Sequence, residues 1–421
     1  MEEGINAQKS KVNVAIYKKY KLFSYDLLFY YAIEVLFFTI VKKFSVADIM
    51  YLSSIYTISG FFWQLIGGNI VEKLGLKKSI VSGNIFVVFS IFLYIISNTF
   101  YMYAIANFFL ALGYSLKSLS EGSLLYTSLK KLDRRKEFAK IEGRANAKYY
   151  YFDAISSVLS GFLFVVNGYL PFILSFVCAL ISLIISFKFK DLKEEKDYEE
   201  SLSLKETLRA TKEVVSSKRS KAILIFAFAF WGMISVVNTV YKAIVLDIGI
   251  KEEYSTIIVA IVTIFVGLGA RCANGIEKRL KNKTLTTFVY FFFISSIMLG
   301  ILGIYSKLNL TTLSFILISL CIIGIVQGAY RVAIKKYVLS FTNHNIRIKI
   351  TSAYYVFENL GKAITLFVSG LMLEIMNNSV TCLVFSLLSF VIMILVLNYL
   401  KGKLGLKPEE YSKRGINYTK I

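Results

Sequence analysis

Two prolines, four cysteines and one histidine are all that the 421 residues contain of these types, and each scarcity excludes something. With only Pro171 and Pro408 present, helix bending falls to glycines such as Gly113, Gly232, Gly328 and Gly361, which also permit close helix contact. Cys178, Cys272, Cys321 and Cys382 lie in or at the end of separate apolar runs without C-x-x-C spacing. That argues against a disulfide framework and against a zinc site, and the four read as packing residues. His344 is alone in a polar loop, so a histidine-dependent hydrolase or a metal-centred enzyme has little material. No G-x-x-x-x-G-K-[ST] phosphate loop occurs, which argues against ATP hydrolysis. The expectation is a protein that is not an enzyme and needs no cofactor and no metal.

What the chain has is apolar length. Hydrophobic residues make up 56% and aromatic residues 15%, with a mean hydropathy of +0.62; soluble domains hold nearer about 45–50% apolar residues. The fold class expected is an all-α membrane protein. Twelve spans are read, near 22–41, 48–69, 79–99, 101–126, 145–167, 169–187, 221–243, 254–273, 284–305, 309–333, 350–373 and 379–400. A helix rises about 1.5 Å per residue, so such runs can cross about 30 Å of hydrocarbon. The net charge of +22 follows one membrane face rather than marking a nucleic-acid partner. Lys73, Lys77, Lys78, Lys130, Lys131, Arg134, Lys278, Arg279, Lys335, Lys336 and Arg347 fall in loops on the side of the N-terminus. By the positive-inside rule both termini are expected in the cytoplasm. No A-x-A-like site follows the first apolar run, so an uncleaved first helix is expected.

The stretch from Gly68 to Ile80 is a charged loop pinned between two charge-free runs, 49–70 and 79–100. It resembles the loop signature of the major facilitator superfamily, G-x-[LI]-a-D-r-x-G-r-k-x-x-[LI]. Gly68, Ile70, Val71, Lys73, Gly75, Lys77 and Ile80 fall on it in register, with Glu72 where the family has Asp and Leu76 where it has a basic residue. A second copy runs through Ile276, Glu277, Lys278, Lys281 and Lys283, and residues 72 and 277 lie 205 apart. The same offset carries Lys130 and Lys131 onto Lys335 and Lys336, Arg144 onto Lys349, and Tyr149, Tyr150, Phe152 and Asp153 onto Tyr354, Tyr355, Phe357 and Glu358. Three separated segments sharing one offset argue for two structural repeats in the same orientation. The expected layout is an N-terminal six-helix bundle over 1–190, a cytoplasmic linker over 191–220 and a C-terminal six-helix bundle with a tail over 221–421. Ser203 with Glu206 forms a capping-box signature, and Leu204, Leu208, Thr211 and Val215 recur at helical spacing, so the linker is expected to hold an amphipathic helix.

Several ionisable residues fall inside apolar runs: Glu34, Lys117, Glu121, Asp153, Glu358 and Lys362. A charge there costs about 2.5 to 3.5 kcal/mol on translocon scales, so each should face a cavity, pair or be neutral. Lys117 with Glu121, and Glu358 with Lys362, are four apart, so each pair can close along one helix face. Glu34 has no such partner on its own helix. Glu34, Lys117 and Glu121 are the first candidates for solute or coupling-proton binding, joined by Tyr31, Trp231 and Asn238 as aromatic and amide contacts. Arg271 and Arg331 read as helix-end residues that snorkel to headgroups.

The resemblance implies secondary active transport by alternating access, with a small molecule bound between the halves. It also implies a cytoplasmic gate built from Gly68, Glu72, Lys73, Gly75, Lys77 and Arg144, with Glu277, Lys278 and Lys349 in the second repeat. Two motifs of the superfamily's drug antiporters are missing: Phe109 stands where they carry an Arg, and Ser157 to Phe162 holds one glycine and no proline. The expected activity is proton-coupled export of a small or amphipathic molecule; the alternatives are import of a small polar nutrient, or a non-transporting sensor or assembly protein. The expected partners are a small-molecule substrate, membrane lipids and a coupling proton, for a monomer. The Lys-, Ile-, Phe- and Tyr-heavy usage points to a bacterial plasma membrane.

Overall fold

The computed structural model describes residues 2–134, 137–192, 218–280, 283–305, 309–340 and 347–404. The linker signature at Ser203 to Val215, Lys281 and His344 lie outside the described residues, as does the side chain of Lys349. Among the described residues every regular element is helical. In chain order these are α1 (Glu2–Ser24), α2 (Glu34–Leu36), α3 (Val46–Leu74), α4 (Leu76–Ile96), α5 (Phe100–Lys130), α6 (Phe138–Val166) and α7 (Leu170–Phe187). They continue with α8 (Lys218–Asp247), α9 (Glu252–Leu280), α10 (Thr284–Tyr305), α11 (Leu310–Ser340), α12 (Arg347–Ile375) and α13 (Asn378–Leu404).

Ten of these helices are long and apolar enough to cross a membrane. Their outward faces carry Phe62, Phe89, Phe162, Ile294 and Leu388, all exposed, as expected where the surrounding solvent is hydrocarbon. Their contacts instead hold small hydroxyl residues. Ser90, Ser160 and, on α5, Ser128 are buried and donate to Phe86, Ser156 and Leu124 carbonyls one turn back, which satisfies each hydroxyl within its own helix. Two long helices fall outside the set of ten, α1 and α5. The buried ion pair between Lys21 and Glu121 joins them.

The chain divides into two compact units. Unit 1 comprises Met1–Phe37 and Ile55–Leu204, and unit 2 comprises Phe38–Ser54 and Lys205–Ile421. Within unit 1, α4 packs on α5 and α7, while α1 packs on α5, α6 and α7. Within unit 2, α10 packs on α11 and α13, while α8 packs on α12 and α13. In both units the helix that follows the motif turn, α4 or α10, packs on the next helix and on the last one, and the helix starts at 46, 76, 100 and 138 recur at 252, 284, 310 and 347.

The first span departs from the sequence expectation. A continuous helix near 22–41 is replaced by α1, which begins at Glu2 and stops at Ser24, a break over 25–33, the short α2, and a π-helical turn over Phe37–Val41. Phe29 in the break has φ of 61°. The span read from the sequence starts at 22 because the first apolar run is reached only after Lys21. In the structure Ser10, Asn13, Tyr17 and Tyr20 form the buried face of α1, and Asn13 Nδ2 donates to the Lys190 carbonyl at 3.0 Å.

The turn after α3 follows its motif more closely. Gly75 has φ of 80° and ψ of 159° and sits at the N-cap of α4, a region of backbone space that is essentially reserved for glycine. Gly75→Ala should therefore destabilise unit 1 by about 1–3 kcal/mol, read as a lower Tm. Unchanged stability would show that the turn relaxes. Next to Gly68, a β-carbon on Gly67 would lie 2.8 Å from Leu119 Cδ1.

Candidate functional site

Helix α1 ends inside unit 1, and the charged groups gather at that end. Glu121, 2% exposed, projects from α5 and accepts three side-chain hydrogen bonds from α1. These come from Lys21 Nζ at 2.5 Å, Tyr20 Oη at 2.7 Å and Ser24 Oγ at 2.7 Å. Tyr20 Oη in turn accepts from Asn84 Nδ2 at 2.7 Å, and Asn84 Oδ1 accepts from Ser182 Oγ at 2.7 Å. One network thus runs through α1, α4, α5 and α7, and it satisfies a carboxylate that could not otherwise be held in this position.

Lys117 behaves differently from the expectation of a strut along α5. Its ammonium donates to the main-chain carbonyl of Ser24 at 2.6 Å, lying 4.7 Å from the Tyr114 ring centroid. The physical reason is the break. A helix that stops in the interior leaves carbonyls without partners, and a cation satisfies them better than it satisfies a carboxylate that already has Lys21.

Asp26 stands in the break itself. Its Oδ1 accepts from the Leu27 amide at 2.9 Å and from Tyr31 Oη at 2.7 Å. Asp153 on α6 is half-buried and within electrostatic reach of Asp26. Tyr25 bridges to the same stretch of α6, its ring 4.7 Å from that of Tyr149 and its hydroxyl 2.8 Å from that of Tyr150. Glu34 has a partner after all: Tyr30 Oη, four residues earlier, donates to it at 3.3 Å. Deeper in α1, Tyr17 Oη donates to Glu142 of α6. A small pocket lies against the break, with Asp26, Asn84, Tyr114, Lys117 and Ser182 among its lining residues.

In unit 2 the polar contacts join α8 to α11. Asn238 Nδ2 donates to Gln327 Oε1 at 3.0 Å. The Arg331 guanidinium lies 4.5 Å from the Trp231 ring centroid, and Trp231 stacks on Tyr330. Arg331 is therefore a stacked cation rather than one read only as snorkelling from a helix end. Glu358 and Lys362 lie one turn apart on α12, both half-buried.

The loop residues are placed as surface groups. Glu72, Lys73 and Arg144 are exposed. The ion pair found for the motif among the described residues is Lys77 to Asp191 at 4.0 Å. Glu277 is not a surface residue; it is buried in the last turn of α9, with Lys278 exposed beside it. Cys272, expected in packing, is exposed, while Cys382 is buried.

Sequence reading missed Lys21, Asp26, Tyr20, Asn84 and Glu142. Lys21 was taken as the edge of the span, and Asp26 passes unnoticed without the knowledge that the helix stops beside it. A usable signal was present: Tyr17, Tyr20, Lys21 and Ser24 recur at three- and four-residue spacing, which places them on one helix face.

The model of the Major Facilitator Superfamily matches residues 23–308, and the chain belongs to this superfamily of transporters. It is a multi-pass membrane protein of a transporter family, not an enzyme. No curated protein matches its sequence. Among solved structures it is similar to the nucleoside transporter NupG, with a TM-score of 0.77 at 12% identity over 93% of this chain and 99% of that one. It is also similar to the POT family transporter PepTSo, with a TM-score of 0.70 at 12% identity over 94% of this chain and 98% of that one.

Proposed function

We propose that the chain is a proton-coupled secondary transporter that exports a small amphipathic solute across a bacterial plasma membrane by alternating access, as a monomer surrounded by lipid. On this reading there are twelve spans, α1 with its continuation to Val41 and α5 joining the other ten, and both termini are cytoplasmic. The N-terminal bundle occupies 1–190, the linker 191–220 and the C-terminal bundle 221–421. Glu72, Lys73, Lys77 and Arg144 act in the cytoplasmic gate of the first repeat around Gly68 and Gly75, and Glu277, Lys278 and Lys349 act in the second.

The observation that carries the reading is the concentration of Asp26, Glu34, Lys117, Glu121 and Asp153 in unit 1, next to a helix that stops in its interior. Holding charges there costs several kcal/mol, and discontinuous helices in transporters mark sites for ions and solutes. Glu121 is assigned to holding α1, because all of its bonds are made within the bundle. Glu34 and Asp153 are the groups proposed to exchange the coupling proton. Tyr31, Trp231, Asn238, Glu358 and Lys362 are proposed as solute contacts, to which Arg331 and Gln327 are added.

A pH gradient imposed on proteoliposomes tests this, with amphipathic cations, short peptides, nucleosides and small polar nutrients as the solute panel. The expected result is gradient-driven movement of an amphipathic solute in the export direction. Glu34→Gln and Asp153→Asn should each lower the gradient-dependent rate by about tenfold or more, within the range attributed to positioned proton-transfer groups. Flux indifferent to the gradient in wild type would overturn the coupling. A second reading, uptake of a small polar nutrient, is favoured by the fold likeness to structures named as nucleoside and POT family transporters. It predicts nucleoside or peptide accumulation in the opposite direction.

A further inference from the structure

We infer that the interior end of α1 is a monovalent-cation site whose resident occupant is the ammonium group of Lys117. The last carbonyls of any helix lack intrahelical donors, and they carry the negative end of its dipole. For α1 this end lies at Ser24, which is 1% exposed, inside unit 1. Lys117, 3% exposed on α5, brings its charge to that carbonyl at 2.6 Å and over the face of Tyr114 at 4.7 Å. A carbonyl at a helix C-terminus, an aromatic face and nearby carboxylates form an environment that selects a cation.

Two further features point to a site rather than to a side chain parked in the core. Asp26 and Lys117 line the same pocket, yet Asp26 spends its Oδ1 on Leu27 and Tyr31, and the cation bound to Glu121 is Lys21. The ammonium therefore serves the helix end and the pocket in addition to lying within electrostatic reach of Glu121. The second repeat provides the control. Its equivalent helix α8 runs unbroken over Lys218–Asp247 and exposes no interior carbonyl end, and α11, the counterpart of α5, carries Ile322 where the 205 offset would place a second lysine. The break and the lysine occur together in one repeat and are absent together from the other.

The chemistry predicts that the space vacated by the ammonium accepts Na⁺ or a small primary ammonium ion. The charged and titratable groups around it are Glu121, Lys21, Asp26 and Tyr114. The test reads thermal stability of the detergent-solubilised full chain, so its failure leaves the transport reading untouched. Methylammonium chloride and NaCl are each compared with choline chloride at equal ionic strength. Lys117→Ala should melt below wild type and regain about 2–4 °C, saturably, with methylammonium or Na⁺ but not with choline. Lys117→Met fills the space with an apolar chain and should not respond. A response of Lys117→Ala that choline reproduces, or no response to any cation, overturns the site. If Lys117→Ala does not fold, the polar truncation Lys117→Ser decides. A higher Tm in Na⁺ than in choline supports the site there, and equal values overturn it.

Discussion

Glu121→Ala is expected to destabilise the protein by about 3–5 kcal/mol, the range for removing one member of a buried ion pair, and to lower Tm by on the order of 10 °C. The substitution removes three hydrogen bonds at once and leaves Lys21, 9% exposed, without its carboxylate and Tyr20, fully buried, without an acceptor. The loss comes mainly from the stranded partners rather than from the value of the pair itself. Lys21→Met with Glu121→Met should therefore recover most of the stability that either single change loses. Lys77→Ala provides the contrast. Its partner Asp191 is 4.0 Å away with a side chain 64% exposed, and such pairs contribute about 0–1 kcal/mol. A Tm for Glu121→Ala within a degree or two of wild type would show that α1 is held by packing alone.

The second large effect is expected where helices cross at backbone contact. A β-carbon on Gly361 of α12 would fall on the Phe228 carbonyl of α8, and one on Gly232 of α8 would lie 2.7 Å from the Gly361 carbonyl. On α9 and α11, β-carbons at Gly269 and Gly328 would fall on the Ile325 and Val266 carbonyls. Backbone cannot rotate away as a side chain can, so Gly361→Ala and Gly328→Ala each require two helices of unit 2 to separate. The expected cost is about 3 kcal/mol or more, with a severalfold drop in folded yield measured by monodisperse size-exclusion recovery and Tm. Gly267→Ala and Gly275→Ala, in α9, meet nothing within 4 Å and should be neutral or gain up to about 1 kcal/mol from helix propensity. Equal tolerance at all four positions would mean that the crossings are looser than the structure places them.

The class of protein was legible from the sequence because the signal is long-range and additive. Charge-free runs, a repeated charged loop and one offset over separated segments survive errors of several residues at any boundary. The structure places α10 at Thr284–Tyr305, the bounds read for that span. At the site legibility falls off. Helix spacing offers Glu121 as a partner for Lys117, but spacing only offers partners. Lys21 from another helix approaches Glu121 more closely, and the Ser24 carbonyl competes for Lys117. Arg331 lies over Trp231 for the same reason, since two helices not adjacent in sequence meet there.

By itself the sequence determined an all-helical, duplicated membrane chain with its ionisable residues confined to a few spans, because hydropathy and periodicity are properties of each segment alone. It could not determine where α1 stops. Residues 25–33 contain neither glycine nor proline and are mostly apolar and aromatic, so local propensity favours continuation. The break exists because Lys117 on α5 satisfies the freed Ser24 carbonyl and Asp26 takes the Leu27 amide. An interruption whose polar groups are satisfied across the bundle becomes visible only once the helices that supply the partners are in place.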